Sequence, residues 1–459
     1  MSVKPDVTTE FDLRHLANDD ATDQLFPLPF TPFEFYYYLE DRPEYASAFP
    51  VRLEAHGLLD REAFARAFQL THARHPFLSA QIECDRRGWP TWTAGEIPRI
   101  QWTTEPCGMS VGAAASGGMQ MRINQMHDKI DWLFDFHHCA VDGMGAFLFI
   151  SDLFVAYAHL ASGARGPLPW RKLEPERLRN RDGHQLFKRG VKLVDLVRLA
   201  RVTLPLNYRR AAIVSDHAAP AVNTSGVNAG PNDLVHHLTE FETAELSRVA
   251  SKLEVMLNDL FVRDYFLMLT AWNRGTSEAR RQIRILVPTN LRRREDYRMP
   301  ATNVFSFSFL SRWARDCQDR AALLASVHDE MAEIKQQKRG RYFEAGLRLF
   351  CIWPNLLRWS LSRDWPFATA IFSNLGTGLD NVPLPDSDGH KICGDLVFER
   401  GSGAAPIRPD TRVSFAVHAY AGRLAVCARS DPRVFSAAQQ QAILDAYIEQ
   451  LRTTIRTES

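Results

Sequence analysis

The stretch KIDWLFDFHHCAVDGMG, residues 129–145, constrains this chain more than any other. Strict alternation puts Ile130, Trp132, Phe134, Phe136 and His138 on one face of a strand, with Asp131, Leu133, Asp135 and His137 on the other. His138 therefore prolongs the most apolar strand face in the sequence, whereas His137 belongs to a mixed one. Gly143 permits a tight strand-to-helix turn, and GAFLFISDLFVAYAHLASG reads as an apolar helix closed by Gly163.

Strand–helix order of this kind recurs along the chain. SAFPVRLEAHG has strand character and precedes a helix that Asp60 caps and Pro76 ends. FLSAQIECD and PTWTA read as short strands. After a Pro/Gly/Asn-rich stretch, SDHAAPAVNTSGVNAGPND, the same grammar restarts. LVHHLTEF is a strand, TAELSRVASKLEVML a helix capped by Thr243, and NDLFVRDYFLMLTAWNRG a helix begun by Asn258. QIRILVPTNLR, NVFSFSFLSRW and PFATAIFSNLGTG follow as strands, RVSFAVHAYAGRLAVCARSD is a hairpin about Ala421-Gly422, and a helix over SAAQQQAILDAYIEQLRTTI closes the chain. Two similar α/β subdomains are expected, 1–213 and 214–459, since 459 residues exceed one typical core.

Composition removes several function classes. Formal charge is +1, and no Lys/Arg stripe is interleaved with stacking aromatics, so nucleic acid is not expected as a partner. The seven cysteines are scattered without metal-ligand spacing, which suggests neither a disulfide framework nor a metal site. The first twenty residues lack the apolar core of a secretory signal, and Asp152 interrupts the longest apolar run, so a cytoplasmic setting is expected.

A neutral, partly buried imidazole held in one tautomer can take a proton from a hydroxyl or amine attacking a carbonyl. Burial at the end of an apolar face disfavours the imidazolium, and His138 meets that description by register alone. Paired histidines near a strand end are also common as packed or surface residues. His236 and His237 in LVHHLTEF lack a following Asp-Gly and read as structural.

The whole pattern, HHCAVDG, resembles the HHxxxDG signature of the CoA-dependent acyltransferase superfamily, which includes chloramphenicol acetyltransferase, condensation domains and wax ester synthase/diacylglycerol acyltransferases. GLLDREAFARAFQLTHARHPFLSAQI, LNDLF, VPTNLR, ATNVFSFSF and FSNLG resemble further segments of these proteins in the expected order. The Asp-Phe-Gly-Trp-Gly motif of some members is absent, and ICGDLVFERGSG is the nearest region.

The resemblance implies two chloramphenicol acetyltransferase-like subdomains in a V-shaped pseudo-dimer, with mixed sheets flanked by helices and a tunnel between them. It implies His138 as general base, His137 as support, and Asp142 as a structural residue shaping the loop through an arginine, for which Arg292 is the candidate. Ser373 and Asn374 carry donors suited to an oxyanion, and Asn303 is a weaker candidate on the crossover strand. Cys139 occupies a variable position of the motif with no second base, which disfavours a covalent route.

The expected reaction moves an acyl group from a thioester, acyl-CoA as cosubstrate, to an alcohol or amine, with no tightly bound cofactor and no metal. A carrier-protein-bound donor and a catalytically silent binding relative are the alternatives. Residues 165–210 hold 13 Lys/Arg against 4 Asp/Glu, which suits solvated surface, a peripheral membrane contact, or docking of CoA phosphates or a carrier protein.

Overall fold

A computed structural model describes residues 25–86, 88–104, 117–182, 192–217, 232–363 and 365–459. The N-terminal segment, Cys107 and most of the Pro/Gly/Asn-rich boundary stretch lie outside the described residues. Two mixed sheets form the frame, as the α/β class requires. The first runs Asp386–Ser387, His390–Cys393, Leu396–Gly403, Ala48–His56, Lys129–His137, Met119–Met126, Ile100–Thr103. The second runs Phe305–Arg312, Ile283–Asn290, Ala370–Gly376, Val413–Tyr420, Arg423–Ser430, Asn232–His237.

The alternation of 130–136 emerges as expected on its apolar face: Trp132, Phe134 and Phe136 are fully buried. Much of its other face is buried too, and its carboxylates are paired: Arg52 holds half-buried Asp131 through two 2.7 Å bonds, and Arg122 lies 3.4 Å from buried Asp135. The helix Gly143–Ala161 packs on this sheet, with Phe154 against Trp132 and Phe64. It is long and apolar enough to cross a membrane, yet more than half of it is buried inside the protein. Asp152, the charge within it, accepts from Arg74 at 2.6 Å and pairs with His75 at 3.1 Å, so the core keeps a satisfied ion rather than a bare one.

The first sheet also takes strands from beyond residue 214. Leu396–Gly403 pairs antiparallel with Ala48–His56, and Phe398 packs against both Trp132 and Phe154. Burying the first core thus requires a segment of the second half, which the linear strand–helix order did not reveal.

Local capping follows the chain closely. Asp60 accepts from the N–H groups of Glu62 and Ala63 at 3.0 Å each. Ala421 and Gly422 both take positive φ, as a two-residue hairpin turn requires. Pro354 separates the helices Gly340–Cys351 and Pro354–Ser362. The helix expected to start at Thr243 begins earlier: Thr239 and Glu242 form a reciprocal capping box before Glu240–Lys252.

The basic segment is not uniformly surface. Arg181 is buried in a bidentate pair with Glu34 at 2.6 and 2.7 Å, and also donates to the Pro29 carbonyl. Trp92 Nε1 and the Thr31 N–H complete the shell around Glu34. Removing one partner leaves an uncompensated buried charge. Arg181→Met should therefore lose about 3–5 kcal/mol of unfolding free energy in a urea titration; an unchanged midpoint would show the pair to be dispensable.

Candidate active site

His138 follows the last residue of its strand, and its N–H still bonds the Ser47 carbonyl at 2.7 Å. That bond fixes the backbone while the ring leaves the sheet. Three aromatic rings then enclose the imidazole: Tyr37 stacks at 4.8 Å and 15°, Phe49 lies at 4.4 Å, and Phe305 at 5.6 Å. Burial in this apolar sleeve drives the His138 pKa down to about 3, outweighing the nearby Asp142 carboxylate, which acts in the opposite direction. Nδ1 is buried beside the Val141 backbone without a well-formed hydrogen bond. Nε2 is then the ring nitrogen available to the cavity that His138 lines.

That cavity holds about 380 Å³. Tyr37, Phe49, Met144 and Phe147 line it from the first half; Phe305, Phe307, Ser373 and Leu375 line it from the second. It is predominantly apolar with a few polar groups, the character of a small-molecule site.

His137 stays behind this surface. It is 2% exposed, its Nδ1 accepts from the Cys139 N–H at 3.1 Å, and its Nε2 lies 3.3 Å from Asp41 without hydrogen-bond alignment. The Cys139 bond makes Nδ1 an acceptor, so a neutral His137 carries its proton on Nε2. Cys139 is fully buried, which raises its thiol pKa well above the usual range and leaves no thiolate for attack.

Asp142 and Arg292 meet in a two-pronged pair at 2.7 and 2.9 Å. The carboxylate also accepts from Val304 N–H and Gly145 N–H, each at 2.8 Å, the second as N-cap of Gly143–Ala161. Arg292 donates onward to the Thr302 carbonyl at 2.7 Å. Asp142 thus pins the motif's turn to the second half.

Gly143 opens the helix and faces the cavity, and an added Cβ would meet only Leu375, at 3.3 Å. The tight position is Gly145 instead: its Cβ would stand 2.5 Å from Val141 and 2.9 Å from the Thr302 oxygen.

The weaker candidates divide. Ser373 lines the cavity. Asn374 also borders it, but its amide nitrogen donates to Asn258 and its oxygen accepts from Gly376, so the expected oxyanion donor is turned to structure. Asn303 lies beneath the motif, donating to the carbonyls of His138 and Cys139 at 2.5 and 2.9 Å, and its donors serve the loop rather than a substrate.

Sequence reasoning missed Tyr37, Glu40 and Arg408. Tyr37 and Glu40 sit on the helix Pro32–Glu40, whose start was legible in the Thr31/Glu34 capping box and Pro32. Arg408 carried no local signal. It contacts Glu40 in the cavity wall, and burial lowers its guanidinium to about 9 while raising the Glu40 carboxyl. His236 and His237 lie on a strand at the sheet edge and do not line the cavity.

Known proteins share this architecture. The first condensation domain of the CDA synthetase superposes with a TM-score of 0.71 at 15% identity, over 94% of this chain and 97% of its own. Polyketide synthase associated protein 5 from Mycobacterium tuberculosis gives 0.65 at 15% identity, over 93% and 98%. A trichothecene 15-O-acetyltransferase from Fusarium sporotrichioides gives 0.70 at 13% identity, over 93% and 94%. No family model matches the sequence, and no curated protein matches it. The chain therefore has the fold shared by these condensation-domain and acyltransferase structures.

The steric contrast within the motif gives a direct check. Gly145→Ala should cost about 1–3 kcal/mol through overpacking, against a markedly smaller loss for Gly143→Ala. Equal shifts in thermal unfolding of the two variants would contradict the packing described.

Proposed function

We propose that this protein is an acyltransferase in which His138 activates a hydroxyl or amine acceptor for attack on a thioester. The observation that supports the reading is an imidazole kept neutral by burial that lines a cavity bordered by both halves of the chain. The acceptor proton passes to Nε2 as the acceptor atom bonds to the thioester carbon. The carbonyl oxygen becomes an oxyanion, for which the Ser373 hydroxyl is the cavity-lining donor candidate. Collapse breaks the C–S bond, and the proton on His138 neutralises the departing thiolate. No covalent acyl-enzyme is required, in keeping with the protonated, buried Cys139.

Apolar lining suits an acyl chain. The donor is read as acyl-CoA. A carrier-borne donor is the second reading, favoured by the condensation-domain superposition.

Free-thiol release from a panel of acyl-CoAs with mixed alcohols and amines tests this. His138→Ala should lower kcat by roughly 10²–10⁴ with the fold retained; turnover unchanged by the substitution would remove His138 from the chemistry. Turnover only with an acylated carrier protein would establish the second reading, and no turnover with either donor would favour a silent binding relative. Ser373→Ala should reduce kcat by about 10–10² if its hydroxyl faces the oxyanion.

The pH dependence has a fixed sign. Because the folded pKa lies near 3, His138 stays a base through mildly acid conditions, and kcat/KM should show no limb from it between pH 8 and 5. A limb centred near 6.5 would mean a solvated imidazole.

A further inference from the structure

Of the 23 large apolar side chains exposed among the described residues, 11 lie in two short segments, 193–208 and 349–359. Scattered exposed apolar groups are ordinary on a protein surface, but rows of them are not. On the helix Leu193–Tyr208 the exposed row is Leu193, Leu196, Val197, Leu204 and Tyr208, at helical spacing, with Leu193 78% exposed. Its other side is already packed: Leu199 clusters with Tyr342 and Ala345 of the helix Gly340–Cys351, and Leu206 is buried. A helix that is apolar on both sides calls for a cover on both.

A second row runs from the end of Gly340–Cys351 into Pro354–Ser362. Leu349, Ile352, Trp353, Leu356 and Trp359 are between 40% and 62% exposed, while Leu357 and Leu361 belong to the core. The helices that carry the two rows form one layer. Thr203 stands against Gly346, where an added Cβ would meet it at 2.5 Å, and the Trp365 indole donates to the Leu206 carbonyl at 2.8 Å.

Charge decides what covers them. Residues 192–210 and 348–363 together hold eight Lys/Arg against one Asp, in a chain whose totals are 55 and 54. That carboxylate, Asp195, accepts from the Lys192 backbone N–H and from the Tyr342 hydroxyl. Arg201 is exposed beside the first row and Arg358 beside the second, and neither forms an ion pair with a described residue. Arg363 lies over the Trp359 ring, 4.8 Å from its centroid. Two copies of this chain meeting face to face would set the positive excess against itself. An anionic bilayer surface answers both features, acyl chains for the apolar rows and phosphates for the guanidinium groups, and indoles suit the boundary between them.

We infer that the layer formed by Leu193–Tyr208 and 349–363 docks the protein on anionic membrane surfaces, lying in the interface without crossing it. This narrows the membrane contact expected of residues 165–210 to one helix and adds to it a row from the second half of the chain. It stands independently of the acyl-transfer reading.

The test floats the full chain on a density gradient with vesicles of phosphatidylcholine alone or of phosphatidylcholine with phosphatidylglycerol. Wild type should float with the anionic vesicles, and the bound fraction should fall as salt rises. Trp353→Ser/Trp359→Ser and Leu193→Ser/Val197→Ser, all at exposed positions, should each weaken partitioning at least tenfold with thermal unfolding unchanged. If one pair fails to fold, the other carries the test. Phe241→Ser, at an apolar position 70% exposed on the helix Glu240–Lys252, should leave partitioning unchanged. Absence of flotation at low salt, or equal flotation with both vesicles, would overturn the assignment. So would an equal loss in Phe241→Ser, which would mark general stickiness. A wild type that elutes as a dimer, with row variants that elute as monomers and vesicles left unbound, would give the face to a second copy instead. None of these results depends on thiol release, so the docking surface and the transfer chemistry fail separately.

Discussion

The ion pair between Asp142 and Arg292 is the constraint on which the site depends. The carboxylate belongs to the motif's turn in the first half, and the guanidinium follows a strand of the second sheet. Four hydrogen bonds saturate the carboxylate: two from Arg292, one from Val304 and one from the helix it caps. Its charge is thereby engaged by the protein, and Asp142 acts on position more than on the protonation of His138. A partly satisfied carboxylate at this depth would be costly, so the arrangement demands all of its partners at once. That demand fixes the turn from which His138 projects.

With the turn fixed, the imidazole's surroundings decide its chemistry. Tyr37 and Phe49 come from the first half, and Phe305 comes from the second. A face of Tyr37 would favour an imidazolium over a neutral ring, yet the loss of water costs the charged form more. The result is a weak base, and in the proposed reaction such a group would act by having the acceptor placed against Nε2. The Glu40–Arg408 and Asp142–Arg292 pairs both border the cavity, whose wall is otherwise largely apolar.

Much of this was legible in the sequence because it is local. Period-two alternation assigned His138 to the apolar face, one residue beyond its strand, and an Asp-Gly after three intervening residues marked the turn. Asp60, the Ala421-Gly422 hairpin and the break at Pro354 needed only short-range rules. Arg292 could be named as the partner of Asp142 through the resemblance of VPTNLR to a known strand, although the two are 150 positions apart. What escaped was long-range and unsigned. Nothing in PFEFYYYLE says that Tyr37 will stack on a histidine a hundred positions later, and nothing in IRPDTR places Arg408 in the same wall. Leu396–Gly403 crosses to the first sheet and sets Phe398 against both Trp132 and Phe154, a contact that exists only in the assembled core. Asn303 and Asn374 read as donors for a substrate, but both amides are drawn to nearer partners, His138 and Cys139 carbonyls in one case and Asn258 in the other.

The most direct test of the account is a nitrogen-15 NMR titration of the histidine side chains, with the His138 signals assigned by their loss in His138→Gln. The account requires a neutral ring with its proton on Nδ1 throughout the range from pH 8 to 5. An imidazole that gains a second proton near pH 6.5, or one whose single proton sits on Nε2, would contradict it.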